Sequence, residues 1–374
     1  MTAPDLTRLP PMRTGARIGR LRDAMESTTD VDALLVTRMP NIRYLTGFTG
    51  SAGVVLVTRD EVVFVTDGRY RTQAAEQLDA AGVDARVAIT ATGSNQREIL
   101  AGALAEAGAP RLGLEAHGVT WAQQRTFAEW FPGSELVPTE HVVEGLRIIK
   151  EPEEIARIRA ACAVADDALA ELLPLLAERP TEQEFAIALE RAMRDRGASG
   201  NSFDPIVAAG PNGAKPHARP STRPIERGEL VVIDFGCIVD GYCSDMTRTV
   251  SVGEPTSEAR HMWDVVVESQ QLGRDAVREG VTAAAVDEAC REVIVAAGWG
   301  EAFAHGTGHG VGLEIHEDPR VAATSSATLA VGHVVTVEPG VYLPGIGGVR
   351  IEDTLVVTDS GSDPLTLAPK VLVL

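Results

Sequence analysis

Aromatic residues and cysteines are scarce in this sequence, and long apolar runs are missing. Only 4% of the 374 residues are Phe, Trp or Tyr, and the four cysteines, Cys162, Cys237, Cys243 and Cys290, form no Cys-x-x-Cys pair. Four scattered cysteines in so long a chain do not make a disulfide framework, so we expect reduced, buried thiols. No stretch approaches the roughly 20 apolar residues of a membrane helix. The first residues also lack the apolar segment of a signal peptide, which favours a cytoplasmic protein.

Positive charge is also in deficit. The chain has 34 Lys and Arg against 53 Asp and Glu, a formal net charge of −19. An acidic surface repels nucleic acids and anionic membranes, so we expect neither as a partner. The hydrophobic share of 44% can form a large core, and the length fits two domains better than one.

The first part of the chain alternates between strand-like and helix-like segments. Apolar runs predict strands at 33–36, 53–57 and 62–65, and amphipathic stretches predict helices at 18–25, 70–78 and 96–107. This alternation predicts an N-terminal α/β domain over residues 14–146. The first dozen residues, which contain three prolines, are predicted to be a loose tail.

A second domain is predicted over residues 152–374, after a boundary near 147–152. A long amphipathic helix is expected over 151–176, which Pro174 should end or kink, and Thr181 with Glu184 forms a capping box for the next helix. Further on, two hairpins that each carry two carboxylates flank a pair of helices. The predicted hairpins are 229–252 and 333–357, and the predicted helices are 257–279 and 282–297. We interpret this echo as two similar α/β halves that face each other.

Two aspartates flank the predicted turn of the first hairpin, Asp240-Gly241. An Asp-Gly pair between apolar runs is a strong signal for a two-residue turn, and its register places Asp245 opposite Gly236. Asp234 lies two residues from Gly236, so both aspartates point to the same face. Two carboxylates there repel each other unless a cation lies between them. The alternative is that they are solvated on an open sheet face.

Histidines are concentrated in one glycine-framed segment. His305, His309 and His316 fall within twelve positions of a chain that has eight histidines in all. Glycines allow close backbone approach, and imidazole is the commonest protein ligand for divalent metals. An isolated histidine is more often structural, but this concentration favours a site.

Charged residues interrupt the apolar strands of the second hairpin at Glu338, Arg350 and Glu352. Inward charges in a strand require a partner or a metal. A buried Arg–Glu ion pair without catalysis would explain one glutamate but not both.

Together these segments supply four carboxylates and one imidazole: Asp234, Asp245, His309, Glu338 and Glu352. Oxygen-rich ligation of this kind suits divalent Mn²⁺, with Co²⁺, Zn²⁺ and Fe²⁺ as alternatives. Carboxylates that can bridge suit two ions about 3.5–4 Å apart that activate a water molecule.

The order and spacing of these residues resemble the pita-bread metallopeptidases, which include methionine aminopeptidase, aminopeptidase P, prolidase and the related creatinase. The shared motifs are Asp-Phe-Gly at 234–236, Ser-Asp-Met-Thr-Arg-Thr at 244–249, Gly-His-Gly-Val-Gly-Leu-Glu-Ile-His-Glu at 308–317, Val-Glu-Pro-Gly at 337–340 and Val-Arg-Ile-Glu-Asp at 349–353. The resemblance covers essentially the whole chain. It implies an α/β (α+β) fold with a creatinase-like N-terminal domain and a pseudo-twofold pita-bread catalytic domain.

The resemblance also implies roles for individual residues. The metal ligands would be Asp234, Asp245, His309, Glu338 and Glu352. Glu338 also matches the acid/base that handles the proton of water, and His217 and His316 match histidines that contact the substrate. His305 matches a histidine of the proline pocket, and Arg350 matches an arginine that orients a bridging carboxylate.

Segments 44–53 and 66–70 resemble aminopeptidase P in particular, which implies cleavage between an N-terminal residue and a following proline. Prolidase, restricted to dipeptides, is the alternative. Arg320 lies where some microbial prolidases place a cation for the dipeptide carboxylate, although a solvent-exposed arginine is the simpler interpretation. An inactive binding module and a metal-free creatinase-type hydrolase are disfavoured, because all five ligands are present. The expected partners are peptides with proline second, and the resemblance implies a homodimer.

Overall fold

The structure, a computed structural model, describes residues 5–374 and divides into two compact units. One unit is Pro11–Arg147. The other is Ile148–Leu374 together with the described residues up to Pro10.

The N-terminal unit is built on a mixed six-stranded sheet. Its strands are β1 (Ala33–Val36), β2 (Val54–Thr58), β3 (Val62–Asp67), β4 (Arg86–Thr90), β5 (Arg111–Glu115) and β6 (Glu135–Thr139). The spatial order is β4-β3-β2-β1-β5-β6, in which β2 is antiparallel to both neighbours and the other pairs are parallel. β1 is buried along its whole length, which explains why its sequence is a continuous apolar run without alternation.

The helices of this unit are α1 (Ala16–Thr28), α2 (Met39–Thr46), α3 (Arg71–Ala80), α4 (Gly93–Glu106), α5 (Trp121–Trp130) and α6 (Val142–Arg147). Helix α2 begins at a buried carboxylate. Glu115 accepts hydrogen bonds from the backbone N–H groups of Thr37 at 2.6 Å and Arg38 at 2.9 Å. Backbone amides at a helix start have no partner within the helix, so this carboxylate satisfies them.

The α-helices of the C-terminal unit are α7 (Pro152–Leu172), α8 (Glu182–Asp195), α9 (Ser257–Ala276) and α10 (Ala283–Ala296). The predicted capping box is confirmed, because the Thr181 side chain accepts from the Glu184 amide and the Glu184 carboxylate accepts from the Thr181 amide. The predicted end at Pro174 is also confirmed. Helix α7 stops at Leu172 and a 3-10 segment follows over Leu173–Glu178. The other described 3-10 segments are Leu6–Arg8, Gly68–Tyr70, Gly210–Ala214 and Gly300–Ala302.

The strands of the C-terminal unit are β7 (Gly200–Asn201), β8 (Ile206–Ala209), β9 (Leu230–Phe235), β10 (Cys237–Val239), β11 (Tyr242–Cys243), β12 (Met246–Ser251), β13 (Gly308–Gly310), β14 (Glu317–Val321), β15 (Val334–Val337), β16 (Gly340–Leu343), β17 (Gly347–Arg350), β18 (Asp353–Thr358) and β19 (Gly361–Pro364). They form sheets of order β12-β9-β8, β11-β10-β7, β14-β13-β15-β18-β19 and β16-β17.

Two long hairpins connect these sheets: the first hairpin is residues 230–251 and the second hairpin is residues 334–358. Each keeps a single register from base to tip. The pairs that fix it are Phe235 with Met246 and Val239 with Tyr242 in the first hairpin, and Val337 with Asp353 and Gly340 with Arg350 in the second. The register predicted for the first hairpin is therefore confirmed.

Each hairpin packs against its own pair of helices. Apolar residues of α7 and α8 form one buried cluster with β8, β9, β10 and β12. Apolar residues of α9 and α10 form a second cluster with β15, β17 and β18. The unit therefore consists of two α/β halves with a pseudo-twofold arrangement, as predicted.

The prediction of a loose N-terminal tail is wrong for the described part of that segment. Leu6 and Leu9 pack against the core cluster that α7 and α8 share with the first hairpin. The prediction considered the prolines and not these two leucines. The leucine side chains hold the segment on the surface of the C-terminal unit. Within residues 5–374, no helix combines the length and apolarity needed to cross a membrane.

Candidate active site

The first hairpin brings two buried aspartates to one face. Asp234 lies in β9, and Asp245 lies between β11 and β12, opposite Gly236. A Cβ atom added at Gly236 would lie 1.9 Å from the carbonyl oxygen of Ser244. Only glycine therefore permits the close approach of the two strands beside the aspartates.

The second hairpin brings two glutamates together at the same level. Its register places Glu338 directly opposite Glu352, in the gap between the last pair of β15–β18 and the first pair of β16–β17. Glu352 is buried, whereas the side chain of Glu338 keeps 17% of its exposure. The Glu338 carboxylate therefore faces the open side of the site.

The carboxylates of the two hairpins converge. Asp234, Asp245 and Glu352 each offer an oxygen atom, and these three atoms lie within 4.8 Å of one another. Nε2 of His309 lies 3.3 Å from Oε1 of Glu338 and 3.5 Å from Oδ2 of Asp245. The structure thus places the five predicted ligands in one contiguous cluster.

His309 is oriented by its backbone surroundings. Its ring Nδ1 lies 3.0 Å from the carbonyl oxygen of Gly310, and its amide donates to the Thr336 hydroxyl at 3.0 Å. The Nδ1 contact requires a proton on Nδ1, which directs Nε2 at the carboxylates. Hydrogen bonding of the second ring nitrogen to a carbonyl is the usual arrangement in histidines that bind metals.

The carboxylates compete for protons. Burial raises the pKa of Asp234. Burial, with the charge of Glu352, raises the pKa of Asp245 well above its ordinary value. Burial, with the charge of Glu338, does the same for Glu352. Burial also opposes ionisation of Glu338, but its hydrogen bond to His309 and the charges of His309 and Arg350 lower its pKa to about 2. Such opposed shifts among neighbouring carboxylates are a mark of functional sites.

A cation fits this cluster for a specific reason. Oε1 of Glu352 is fully buried and has no hydrogen-bond partner, while Oε2 accepts from the Thr247 hydroxyl at 2.7 Å. An unpartnered buried oxygen on a carboxylate that lies among other carboxylates is costly unless a positive charge compensates it. Divalent cations with oxygen and imidazole ligands satisfy this requirement.

Arg350 links the two hairpins beneath the cluster. Its guanidinium donates to Oδ2 of Asp234 at 2.5 Å, to the Thr247 hydroxyl at 3.1 Å and to the Tyr342 hydroxyl at 2.6 Å. Arg350 is buried, so these contacts fix the position of the Asp234 carboxylate.

Sequence reasoning missed Thr247 and Tyr342. The two-residue period of a strand is the signal that identifies them, because Thr247 follows Asp245 and Tyr342 follows Gly340 on the site face. Tyr342 is buried, and its hydroxyl lies 3.0 Å from Nε2 of His305, whose Nδ1 lies 2.8 Å from the Gly306 carbonyl. Burial lowers the pKa of His305 and raises the pKa of Tyr342 to about 12, so both are neutral at pH 7.

The other predicted substrate histidines lie near the cluster but outside it. The ring of His316 meets the ring of His309 edge-on at 4.4 Å between centroids, and His316 is exposed. His217 is also exposed. Burial and then the charge of His309 lower the pKa of His316, and the charge of His217 contributes to the same shift.

Arg320 lies on β14, four residues after His316, and is exposed. Its charge is among the smaller causes of the lowered pKa of His316, which places its guanidinium within electrostatic reach of that ring. The structure records no hydrogen bond or ion pair that engages Arg320 within residues 5–374. Its exposed position is compatible with an anion-binding role and with a plain surface role.

The fold and the cluster together define a metallopeptidase with an N-terminal creatinase-like domain. The chain belongs to metallopeptidase family M24, which residues 156–359 match. Residues 17–149 match the creatinase/prolidase N-terminal domain. The predicted pita-bread architecture is confirmed.

Three relatives illustrate the likeness. The Xaa-Pro dipeptidase of Pyrococcus horikoshii is 35% identical over 92% of this chain and 95% of its own. A solved Xaa-Pro dipeptidase from Bacillus anthracis has 40% identity and a TM-score of 0.91, over 96% of this chain and 99% of that chain. A solved X-Pro aminopeptidase from Thermotoga maritima has 34% identity and a TM-score of 0.87, over 96% of this chain and 100% of that chain.

Proposed function

We propose that this metallopeptidase is an Xaa-Pro dipeptidase, a prolidase that uses two divalent metal ions. The observation that carries the proposal is the buried, unpartnered oxygen of Glu352 among converging carboxylates. The relatives favour the dipeptidase over the aminopeptidase that the N-terminal motifs suggested, because the Bacillus and Pyrococcus proteins carry the dipeptidase name at 40% and 35% identity. Cytoplasmic localisation and a homodimer remain proposals from the sequence.

The metal ions would be held by the cluster of Asp234, Asp245, His309, Glu338 and Glu352. Mn²⁺ suits this oxygen-rich set best, and Co²⁺, Zn²⁺ and Fe²⁺ are the alternatives. When bound, such ions supply a nucleophilic water at neutral pH and polarise the scissile carbonyl. Cation binding must displace the protons that the raised pKa values of Asp245 and Glu352 retain, so metal affinity should rise with pH.

Glu338 is positioned to move protons during hydrolysis. Its low pKa keeps it ionised at neutral pH, and its carboxylate faces the open side of the cluster. It can accept the proton of the attacking water and pass it to the leaving nitrogen. The nitrogen of a proline peptide bond carries no hydrogen, so it leaves as an amine only after it receives this proton.

The histidines would contact the substrate. His316, whose ring meets that of His309, and the exposed His217 can donate hydrogen bonds to the carbonyl oxygen as negative charge develops on it. His305 is neutral and braced by the Tyr342 hydroxyl, which makes it a firm wall for a proline ring.

The limit on peptide length would depend on Arg320. A dipeptidase gains affinity by pairing the proline carboxylate with a fixed cation, and a longer peptide leaves that cation unpaired. Arg320 is exposed on β14, four residues after His316, so its guanidinium is available to a carboxylate. The second candidate is X-Pro aminopeptidase, which the likeness to the Thermotoga maritima structure favours.

One comparison tests the choice. Hydrolysis of an Xaa-Pro dipeptide and of its Xaa-Pro-Yaa extension is measured for the wild type, Arg320→Ala and Arg278→Ala, in which Arg278 is an exposed arginine on the segment after α9. A dipeptidase prefers the dipeptide, and only Arg320→Ala raises KM, by about tenfold for one lost ion pair of about 1.4 kcal/mol. Equal or better cleavage of the tripeptide, with no effect of Arg320→Ala, would assign the chain to the aminopeptidases.

A second experiment tests the proposed metal centre. Exhaustive chelation should abolish hydrolysis, and Mn²⁺ or Co²⁺ should restore it. Full activity in a protein shown by elemental analysis to be metal-free would refute the proposed centre.

A further inference from the structure

Lys150 and Glu317 form a buried ion pair at the base of the loop that carries His316. Nζ of Lys150 lies 3.1 Å from Oε2 of Glu317, and their side chains keep only 1% and 7% of their exposure. Both ions are therefore removed from bulk water. An ion pair exposed to water, in contrast, contributes little to stability. A pair buried this deeply strongly penalises the loss of either partner, because the other charge is then left uncompensated.

The Glu317 carboxylate organises the loop at 311–316 from inside. Its Oε1 accepts a hydrogen bond from the Glu314 amide at 3.1 Å, and the Gly312 amide donates to the Glu314 carbonyl at 3.1 Å. A Cβ atom added at Gly312 would lie 2.7 Å from both carboxylate oxygens of Glu317. Gly312 therefore leaves the space that the carboxylate occupies beneath the loop.

The same loop contacts the first hairpin at one end and a residue of the candidate metal cluster at the other. The Cys243 amide, two residues before Asp245, donates to the Gly312 carbonyl at 2.8 Å. At the other end of the loop, the His316 ring rests edge-on against His309. The path of the loop thus determines where His316 stands relative to the metal ligands.

Lys150 is itself held in place. Its amide donates to the Gly332 carbonyl at 2.9 Å, and its Nζ also contacts the Ile148 carbonyl at 3.4 Å. His333 lies beside it, and burial together with the charge of Lys150 lowers the pKa of His333 to about 4. The imidazole is therefore neutral at pH 7, and the Glu317 carboxylate is the anionic partner of the ammonium group.

We propose that Lys150 and Glu317 are positioning residues for His316: their ion pair folds the 311–316 loop so that the imidazole faces the scissile carbonyl. The pair touches no substrate and acts through His316. This inference rests on the substrate-contacting role proposed for His316. It adds that the Lys150–Glu317 ion pair determines the position of the His316 ring.

The test measures whether the effect of Lys150 passes through His316. Lys150→Met keeps the aliphatic stem and removes the charge, and it should lower kcat/KM for an Xaa-Pro dipeptide by about 10–100-fold, as expected for a misplaced catalytic group. The loss should lie mainly in kcat, with metal content unchanged. In a His316→Ala background the same substitution should cost nothing further, because its target is already gone.

Arg159→Met is the matched control, because it breaks an ion pair with Asp363 that is exposed on both sides, at 45% and 51%. It should leave kcat/KM unchanged in both backgrounds. An equal loss from Lys150→Met with and without His316 would mean that the ion pair only supports the fold, and would overturn the inference. If Lys150→Met does not fold, Glu317→Gln carries the same test, since it keeps the shape and an acceptor for the Glu314 amide.

A direct readout separates this inference from the proposed function. The NMR signals of the His316 ring should shift or broaden in Lys150→Met and stay unchanged in Arg159→Met. Unchanged His316 signals in Lys150→Met would overturn the positioning role. If His316→Ala alone leaves turnover intact, the role proposed for His316 fails, and with it the positioning role.

Discussion

The two hairpins that build the site present their carboxylates in different ways. In the first hairpin, Asp234 and Asp245 lie on a diagonal, because Asp245 faces Gly236 across the strands. In the second hairpin, Glu338 and Glu352 face each other directly. Asp245, Glu338 and Glu352 lie where the ladder of backbone hydrogen bonds is interrupted and the hairpin passes from one sheet into the next, whereas Asp234 is paired within β9.

Each hairpin also holds a carboxylate of the other. The Thr247 hydroxyl of the first hairpin donates to Glu352 of the second, and Arg350 of the second donates to Asp234 of the first. Arg248 adds a further tie, because it donates to the carbonyl of Glu352 and to the buried carboxylate of Asp353. The pseudo-twofold halves therefore form one interlocked centre. Their carboxylates are supported differently, because Asp234 is paired with the Arg350 cation and the Glu352 carboxylate accepts from a neutral hydroxyl. Mutations of the two carboxylates should therefore have different effects on stability.

The largest expected effect comes from Glu352→Gln compared with Asp234→Asn. Both should lower kcat by about 10³-fold or more, because each removes an anionic ligand from the proposed centre. Their effects on the metal-free protein should be opposite. Glu352→Gln removes a carboxyl group whose ionisation is disfavoured by burial and by the charge of Glu338, so it should raise Tm. Asp234→Asn should lower Tm, because it leaves the buried Arg350 guanidinium without its anionic partner.

Calorimetry after chelation, at pH 8, measures this difference. The high pH matters because the raised folded-state pKa of Glu352 makes its ionisation increasingly costly to the fold as pH rises. If both variants changed Tm in the same direction, the proposed difference in how the two hairpins stabilise their carboxylates would be contradicted.

A smaller effect is expected from the glycines beside the carboxylates. Gly236→Ala should cost about 1–3 kcal/mol, as overpacking does, because its Cβ would meet the Ser244 carbonyl at 1.9 Å and backbone cannot yield. Gly340→Ala meets the Tyr342 hydroxyl at 2.5 Å, which is the end of a side chain. It should cost less stability and lower kcat, because the displaced hydroxyl also braces His305 and Arg350.

Denaturant unfolding paired with steady-state kinetics checks both variants. The comparison between the hairpins fails if Gly340→Ala is the less stable of the two, or if Gly236→Ala alone reduces kcat.

Local patterns predicted the first hairpin better than the second. Asp240-Gly241 is a two-residue turn with a defined register, so the common face of Asp234 and Asp245 followed from the sequence. The second hairpin has a glycine-rich tip between Leu343 and Gly347 that defines no register by itself. The direct pairing of Glu338 with Glu352 was therefore seen only in the structure.

The supporting contacts were harder to predict than the candidate ligands. Thr247 and Tyr342 act through hydrogen bonds to groups 105 and 8 residues away in sequence. Neither residue type signals a site alone, because hydroxyl groups are common in strands. Lys150 and Glu317 are 167 positions apart, and only folding shows that they are a buried pair. The pairing of Lys150 with Glu317 depends on tertiary packing, which periodicity and motifs do not encode.

The smallest expected effect concerns a titratable group that belongs to the second hairpin. His333 immediately precedes β15 and is buried, and burial with the charge of Lys150 lowers its pKa to about 4. Because the unfolded chain binds the proton at about pH 6.5, stability is lost as pH falls from about 6.5 to 4.

His333→Asn keeps an acceptor for the Ala330 amide and removes the titration. The difference in unfolding free energy between pH 7 and pH 4.5 should shrink by about 1–2 kcal/mol in this variant. His261→Asn, at an exposed histidine on α9, should leave that difference unchanged. Equal acid sensitivity of the wild type and His333→Asn would show that the base of the second hairpin does not contribute the acid sensitivity assigned to it.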